Sequence, residues 1–224
     1  MATNNGGDKG TRNLVIIMVS FIVVVGVVFS LITNRSNTSA AIPASVSADE
    51  GYGIVLNPNS TPTIDIYVDY QCPPCKFFEI VNGGYLSEVI AQNKAKVVYH
   101  PLTFRGPESI LAANAAACAA DEDKFIGMNL AIFQNQNENA NSGNWQGDAL
   151  VEIGKSIGIN SEKFEKCVRD GDYVQWTNNV AVASAKANVN STPTVFVNGK
   201  ELDRNTEYGD PVKFKAALAA GGVK

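Results

Sequence analysis

The period of the apolar positions shifts along the chain, and each shift marks an element or a boundary. Leu14–Thr33 runs 20 residues without a charge, the length a helix needs to cross about 30 Å of hydrocarbon. This predicts a retained transmembrane anchor rather than a cleaved signal, whose apolar region spans about 7–15 residues with the cut soon after it. The nearest small-residue site, Val46-Ser47-Ala48, lies well beyond the block. Residues 34–50 are small, polar and aperiodic, which predicts a flexible linker.

Period two follows. Thr63–Asp69 is β-branched and alternating, and predicts a strand. Pro73 then sits well at a first helical position, with Phe77, Phe78, Ile80 and Val81 as the apolar face and Gly83-Gly84 as the stop. A second helical stretch around Ser87–Ala91 leads into a strand over Lys96–His100, closed by Pro101. Strand, helix and strand make a βαβ unit, whose right-handed crossover sets the two strands side by side and parallel.

Between about 104 and 187 the pattern is helical. An Ala-rich run covers Ile110–Ala120, Phe125, Met128 and Ile132 share a face, and Leu150, Ile153 and Ile157 repeat that spacing before Gly158. Phe164, Cys167 and Val168 mark a helix from Ser161 to Gly171, and Tyr173, Trp176, Val180 and Ala187 mark the last one. The polar stretch Gln134–Asn144 reads as a surface loop. Period two returns at Thr194–Val197, with Asn198-Gly199 as a hairpin turn into Lys200–Leu202. Asp210-Pro211 opens a closing helix through Leu218. The chain is therefore read as α/β, one sheet domain over residues 51–224 with an all-helical insertion, behind one N-terminal transmembrane helix.

Hydrophobic residues make up 45% and charged residues 18%, which excludes a disordered polyelectrolyte. From Gly51 onward 15 Lys and Arg face 19 Asp and Glu, with the basic residues scattered singly, so nucleic acid is not an expected partner. Lys9 and Arg12 precede the apolar block and Arg35 alone follows it. That bias places residues 1–13 in the cytoplasm and the folded body on the outer side of the cell membrane, where disulfides persist.

Cys72-Pro73-Pro74-Cys75 falls after a strand and opens a helix. In that context Cys-x-x-Cys implies dithiol redox chemistry. The Cys72 sulfur meets unpaired backbone N–H groups and the positive end of the helix dipole, which favour thiolate. Cys75, a turn deeper, is placed to resolve a mixed disulfide. Half of a zinc site is the competing reading. It fails on ligand count, since Cys118 and Cys167 stand 49 residues apart and His100 is the single histidine. No metal or dissociable cofactor is expected, because the cysteines hold both electrons. Two intervening prolines remove two N–H donors, so thiolate stabilisation should be moderate, below that of a version with histidine between the cysteines.

The segments Val68-Asp69-Tyr70-Gln71-Cys72-Pro73-Pro74-Cys75-Lys76-Phe77-Phe78-Glu79 and Ser191-Thr192-Pro193-Thr194-Val195-Phe196-Val197-Asn198-Gly199 resemble the DsbA-like branch of the thioredoxin superfamily over residues 51–224. The resemblance implies a thioredoxin fold with an inserted helical subdomain about 104–187. It also implies a cis bond before Pro193, with Thr192 and Pro193 contacting substrate. Pro74 stands where well-known members carry histidine, and Thr192 where strong oxidants carry valine; both departures bear on oxidising strength. Cys118 and Cys167 are either buried free thiols or a structural disulfide. The exported setting and similar second disulfides in the branch favour the bridge, which would add roughly 4 kcal/mol in the chain-entropy model.

His100 reads as a structural residue, Asp69 as a loop cap, Trp145 and Trp176 as packing, and Glu79 as a residue of an exposed helix face. The expected activity is that of a membrane-tethered oxidoreductase that introduces disulfides into reduced exported polypeptides. The resemblance implies a quinone-linked membrane protein as its reoxidant. A reductase or isomerase using the same cysteines, and a chaperone or assembly module with a static disulfide, are the rival readings.

Overall fold

A computed structural model describes residues 40–224, of which Ala41–Lys224 form one compact unit. The candidate membrane span at 14–33 and the tail before it lie outside the described residues. Among the described residues no helix is long and apolar enough to cross a membrane.

Five strands form one mixed sheet in the order β1-β3-β2-β4-β5, with β1 at Ile54–Leu56, β2 at Thr63–Val68, β3 at Lys96–Pro101, β4 at Thr194–Val197 and β5 at Lys200–Glu201. β2 and β3 are parallel, with Ile66 opposite Tyr99 and Tyr67 opposite His100, as the βαβ reading requires. β4 runs antiparallel to β2 and pairs Thr194 with Tyr67. Asn198 and Gly199 both take positive φ, 49° and 76°, which is the backbone a two-residue hairpin loop needs.

Helix α1 occupies Pro73–Ala91 without a break, so Gly83-Gly84 does not stop it. Two glycines cost a helix interior about 1 kcal/mol each. The buried Leu86 and Val89 beyond them offset that cost, and a Cβ on Gly83 would meet Glu79 Oε2 at 3.1 Å. The apolar face is also displaced from the one the sequence suggests. Phe77 and Ile80 are exposed, while Cys75, Phe78, Glu79 and Asn82 point inward. Phe78 packs edge-on to Phe214 of the closing helix α7, Pro211–Ala220, at 5.4 Å between ring centres.

Five helices lie between β3 and β4: α2 at Pro107–Ala120, α3 at Phe125–Gln134, α4 at Gly147–Ser156, α5 at Glu162–Asp170 and α6 at Trp176–Lys186. Small side chains let α2 pack closely, and Ala112 through Ala119 are buried. A disulfide joins Cys118 of α2 to Cys167 of α5. Trp145 and Trp176 are buried in the core, and the Trp176 indole N–H donates to the Tyr52 carbonyl.

The folded unit begins before residue 51. Val55 N–H donates to the Ser45 carbonyl, Tyr52 N–H to that of Ser47, and Val46 bridges to Ile54. Lys96 Nζ holds Glu50, and Ala44 N–H donates to Asp121. The part of 34–50 from Pro43 onward is thus an ordered strap on the edge of the sheet rather than a flexible linker. Its polarity hid this, because its ties to the sheet are mostly backbone hydrogen bonds, which leave no apolar period to read.

Candidate active site

The turn after β2 is built by Asp69. Its carboxylate is fully buried and accepts from Gln71 N–H at 2.9 Å, Arg105 N–H at 2.9 Å and the Ser109 hydroxyl at 2.6 Å. Its own carbonyl accepts the Cys72 N–H. The capping role read for this residue therefore extends to two further segments, which it ties to the same turn. Burial raises the Asp69 carboxyl, and those donors pull it back.

Cys72 caps α1 with extended backbone and no side-chain capping bond, so its sulfur is left for chemistry. Pro73 and Pro74 occupy the first two helical positions, where their missing N–H groups are no loss. Cys75 N–H donates to the Cys72 carbonyl at 3.0 Å. Cys72 is 7% exposed and Cys75 not at all. Both are free thiols in the structure.

The two sulfurs are electrostatically unequal. The Cys72 thiol is lowered to about 6, mainly by the Cys75 thiol donating to it, with the Thr192 side chain and the Cys75 N–H adding to the effect against burial and the Asp69 charge. Cys75 is raised well above the ordinary thiol range by burial and by its neighbour. Its sulfur accepts from Asp69 N–H at 3.5 Å. A proton held on Cys75 and an anion on Cys72 is the arrangement an exchange site needs. Sequence alone offers the backbone N–H groups of the helix mouth as donors to Cys72; the Cys75 thiol contributes more than the Cys75 N–H.

The Thr192–Pro193 bond is cis. This turn brings the Thr192 carbonyl within 3.5 Å of the Cys72 sulfur, and Pro193 is buried behind it. The four residues singled out for exchange therefore stand together. Cys118 and Cys167 lie apart from them, in the helical insertion.

Two features were not legible beforehand. Glu79, assigned to an exposed face, is 2% exposed, and burial pushes its carboxyl up to about 7 against opposing contacts from Asn129 and Tyr99. Its Oε1 has no hydrogen-bond partner among the described residues. Gln136, in the polar stretch read as surface loop, donates through Nε2 to the carbonyls of Tyr70 at 2.6 Å and Cys72 at 3.0 Å. From the same stretch Asn141 N–H donates to Gln71 Oε1 at 2.6 Å. A charge within an apolar helix stripe is the one local sign that Glu79 is buried. Nothing in the periodicity marks Gln136.

A sheet of this topology, with a dithiol at the mouth of the first helix and a cis-proline turn against it, defines a thioredoxin-type exchange protein carrying a helical insertion. The model of the thioredoxin family matches residues 51–214, and the chain belongs to that family. It is 29% identical over 171 residues to Na(+)/H(+) antiporter NhaA 1 of Mycobacterium sp. (strain KMS), covering 74% of this chain and 26% of that protein. The chain thus spans about a quarter of the length of the first curated relatives it matches. It is 25% identical over 162 residues to disulfide bond formation protein D of Bacillus subtilis (strain 168), covering 70% of this chain and 72% of that one. Among solved structures, MdbA, a thiol-disulfide oxidoreductase from Actinomyces oris, shares the fold with a TM-score of 0.70, at 22% identity over 82% of this chain and 93% of its own.

Proposed function

We propose that the protein is an extracytoplasmic thiol–disulfide oxidoreductase that forms disulfides in exported polypeptides, with Cys72 as the exchanging sulfur and Cys75 as its partner. The observation that carries this reading is the inequality of the two thiols. Cys72 is lowered to about 6 at the helix mouth beside Thr192, while Cys75 is raised and fully buried behind it. The likeness to a protein named for disulfide bond formation supports the same direction.

In the oxidised enzyme a substrate thiolate attacks Cys72 Sγ, the Cys72–Cys75 bond breaks, and Cys75 leaves as thiolate and takes a proton. A second substrate thiolate attacks the substrate sulfur of the mixed disulfide, and Cys72 leaves. Two electrons pass to the enzyme, and the substrate gains one disulfide. Thr192 and Pro193 line the approach to Cys72 and hold the incoming chain. The segment at 14–33 tethers the domain to the membrane, and a quinone-linked membrane protein takes the electrons away.

A lowered Cys72 stabilises the dithiol form and so makes the disulfide oxidising. A value of about 6 lies between those of thioredoxin, about 7, and DsbA, about 3.5. The equilibrium potential of the pair against a glutathione buffer is therefore expected between about −270 and −120 mV. A potential at or below the thioredoxin end would establish a reductase instead. Substitution Cys72→Ala should abolish refolding of a reduced client; unchanged refolding would favour a chaperone with a static disulfide.

A further inference from the structure

Beyond β5 the chain runs back alongside β4 toward the dithiol. β4 and β5 pair Val197 with Lys200 and Phe196 with Glu201, and Leu202 N–H continues the ladder by donating to the Val195 carbonyl at 2.9 Å. The same register, carried on by two residues, brings Arg204 abreast of Pro193.

The loop that carries Arg204 is fixed from within. Asp203 accepts from the Asn205 N–H and the Thr206 hydroxyl, both at 2.9 Å, and its own N–H donates to Glu207 Oε2 at 2.6 Å. At the far end the buried Tyr208 accepts the Val195 N–H on its hydroxyl at 2.7 Å. Both flanks of Arg204 are therefore anchored on β4.

The guanidinium reaches across the turn at Thr192–Pro193. Its Nη2 donates to Ser191 Oγ at 2.8 Å and to Thr194 Oγ1 at 2.9 Å, and a guanidinium NH2 has a proton for each. The Thr194 hydroxyl spends its own proton on the Ser191 carbonyl at 2.8 Å, which leaves its oxygen free to accept. Ser191 and Thr194 bracket Thr192 and Pro193, so one charged donor shared between them closes the two ends of the turn. Glu201, 3.9 Å from Nη2 and half exposed, balances part of the charge and contributes little else.

What this turn presents to Cys72 is Thr192. Its side chain hydrogen bonds to the sulfur and favours the anion, and its carbonyl oxygen lies 3.5 Å away. Hydrogen bonds weaken steeply as they lose alignment, so a turn left free to shift would lose this contact.

We propose that Arg204 is the positioning residue of this turn, stapling Ser191 to Thr194 so that Thr192 stays against the exchanging sulfur. Arg204 acts through Thr192 and not through its own charge. The inference rests on the reading of Cys72 as the exchanging sulfur.

The test is the pH dependence of Cys72 alkylation in the reduced full-length protein in detergent micelles, read beside amide hydrogen exchange over residues 191–195. Arg204→Ala should raise the alkylation midpoint by about 0.5–1 pH unit, or roughly three- to tenfold in thiolate, as the loss of a hydrogen bond to the charged form requires. Exchange in the segment should speed up about tenfold. Thr192→Val should also raise the midpoint, and adding Arg204→Ala to it should move the midpoint no further, the non-additivity of residues in one network. Replacing both acceptors, Ser191→Ala with Thr194→Val, leaves the guanidinium charge in place and should shift the midpoint in the same direction. An unmoved midpoint in Arg204→Ala overturns the proposal. So does a full shift on the Thr192→Val background, or none on removal of the two acceptors, because either result means that the charge acts on the sulfur through space. A parent whose Cys72 titrates as an ordinary thiol defeats the functional reading instead, and the exchange rates then decide by themselves whether Arg204 holds the turn.

Discussion

The Cys72 sulfur lies 3.5 Å from the carbonyl oxygen of Thr192, a residue 120 positions later in the chain. β4 pairs with β2 through Tyr67 and Thr194, so the turn before β4 and the helix mouth after β2 meet at one end of the sheet. The exchange site is thus a product of strand pairing, and its electrostatics come from both segments.

Alkylation of the reduced protein should reveal a nucleophile titrating near pH 6 that disappears in Cys72→Ala. Cys75→Ala should instead retain a reactive Cys72, which attacks a disulfide-bonded client, releases one client sulfur as thiolate and accumulates the mixed disulfide that no second enzyme thiol can resolve, detectable as a mass shift. Its Cys72 should titrate higher, because the Cys75 thiol is the largest contributor to the lowering.

Thr192→Val removes a hydroxyl that helps hold the Cys72 thiolate. The alkylation midpoint of Cys72 should rise. A midpoint that stays in place or falls would remove the hydroxyl from this role.

Glu79 should make stability fall with pH. Its carboxyl sits at about 7 in the folded protein against an ordinary 4.5. The folded state therefore binds more protons between those values, and the stability this confers is complete below about pH 4.5 and lost as pH rises through 7. Glu79→Gln should flatten the curve and be more stable than the parent at pH 8 by on the order of 3 kcal/mol, at about 1.4 kcal/mol per unit. Urea denaturation at pH 5 and pH 8 measures both slopes.

The Cys118–Cys167 bridge closes a 49-residue separation between α2 and α5. Replacing both cysteines with alanine should cost about 4 kcal/mol in the chain-entropy model. Chemical denaturation reads that loss. The alkylation midpoint of Cys72 should not move, because the bridge lies in the insertion and touches neither exchanging sulfur.

Gln136→Ala frees the carbonyls of Tyr70 and Cys72 from their anchor on the segment after α3. Hydrogen exchange in the turn over residues 69–72 should speed up by about one order of magnitude, the loss of one to two hydrogen bonds. Unchanged protection would show that Asp69 alone holds the turn.

What the sequence determined by itself is local and periodic. The alternation at Thr63–Val68, the Asn198-Gly199 turn, and the placement of Cys72-Pro73-Pro74-Cys75 between a strand and a helix follow from backbone preferences of neighbouring residues. They were readable for that reason. The family pattern added the cis bond before Pro193, which backbone preference alone would have read as trans.

Tertiary structure decided the rest, because each remaining feature depends on what lies across space. α1 continues through Gly83-Gly84 because buried partners beyond them repay the helix. Glu79 is inside because the insertion, through Asn129 of α3, covers that face of α1. The strap from Pro43 joins the sheet by main-chain bonds that carry no sequence signal. Arg204 spans both ends of the turn at Thr192–Pro193 because the hairpin of β4 and β5 folds it back there.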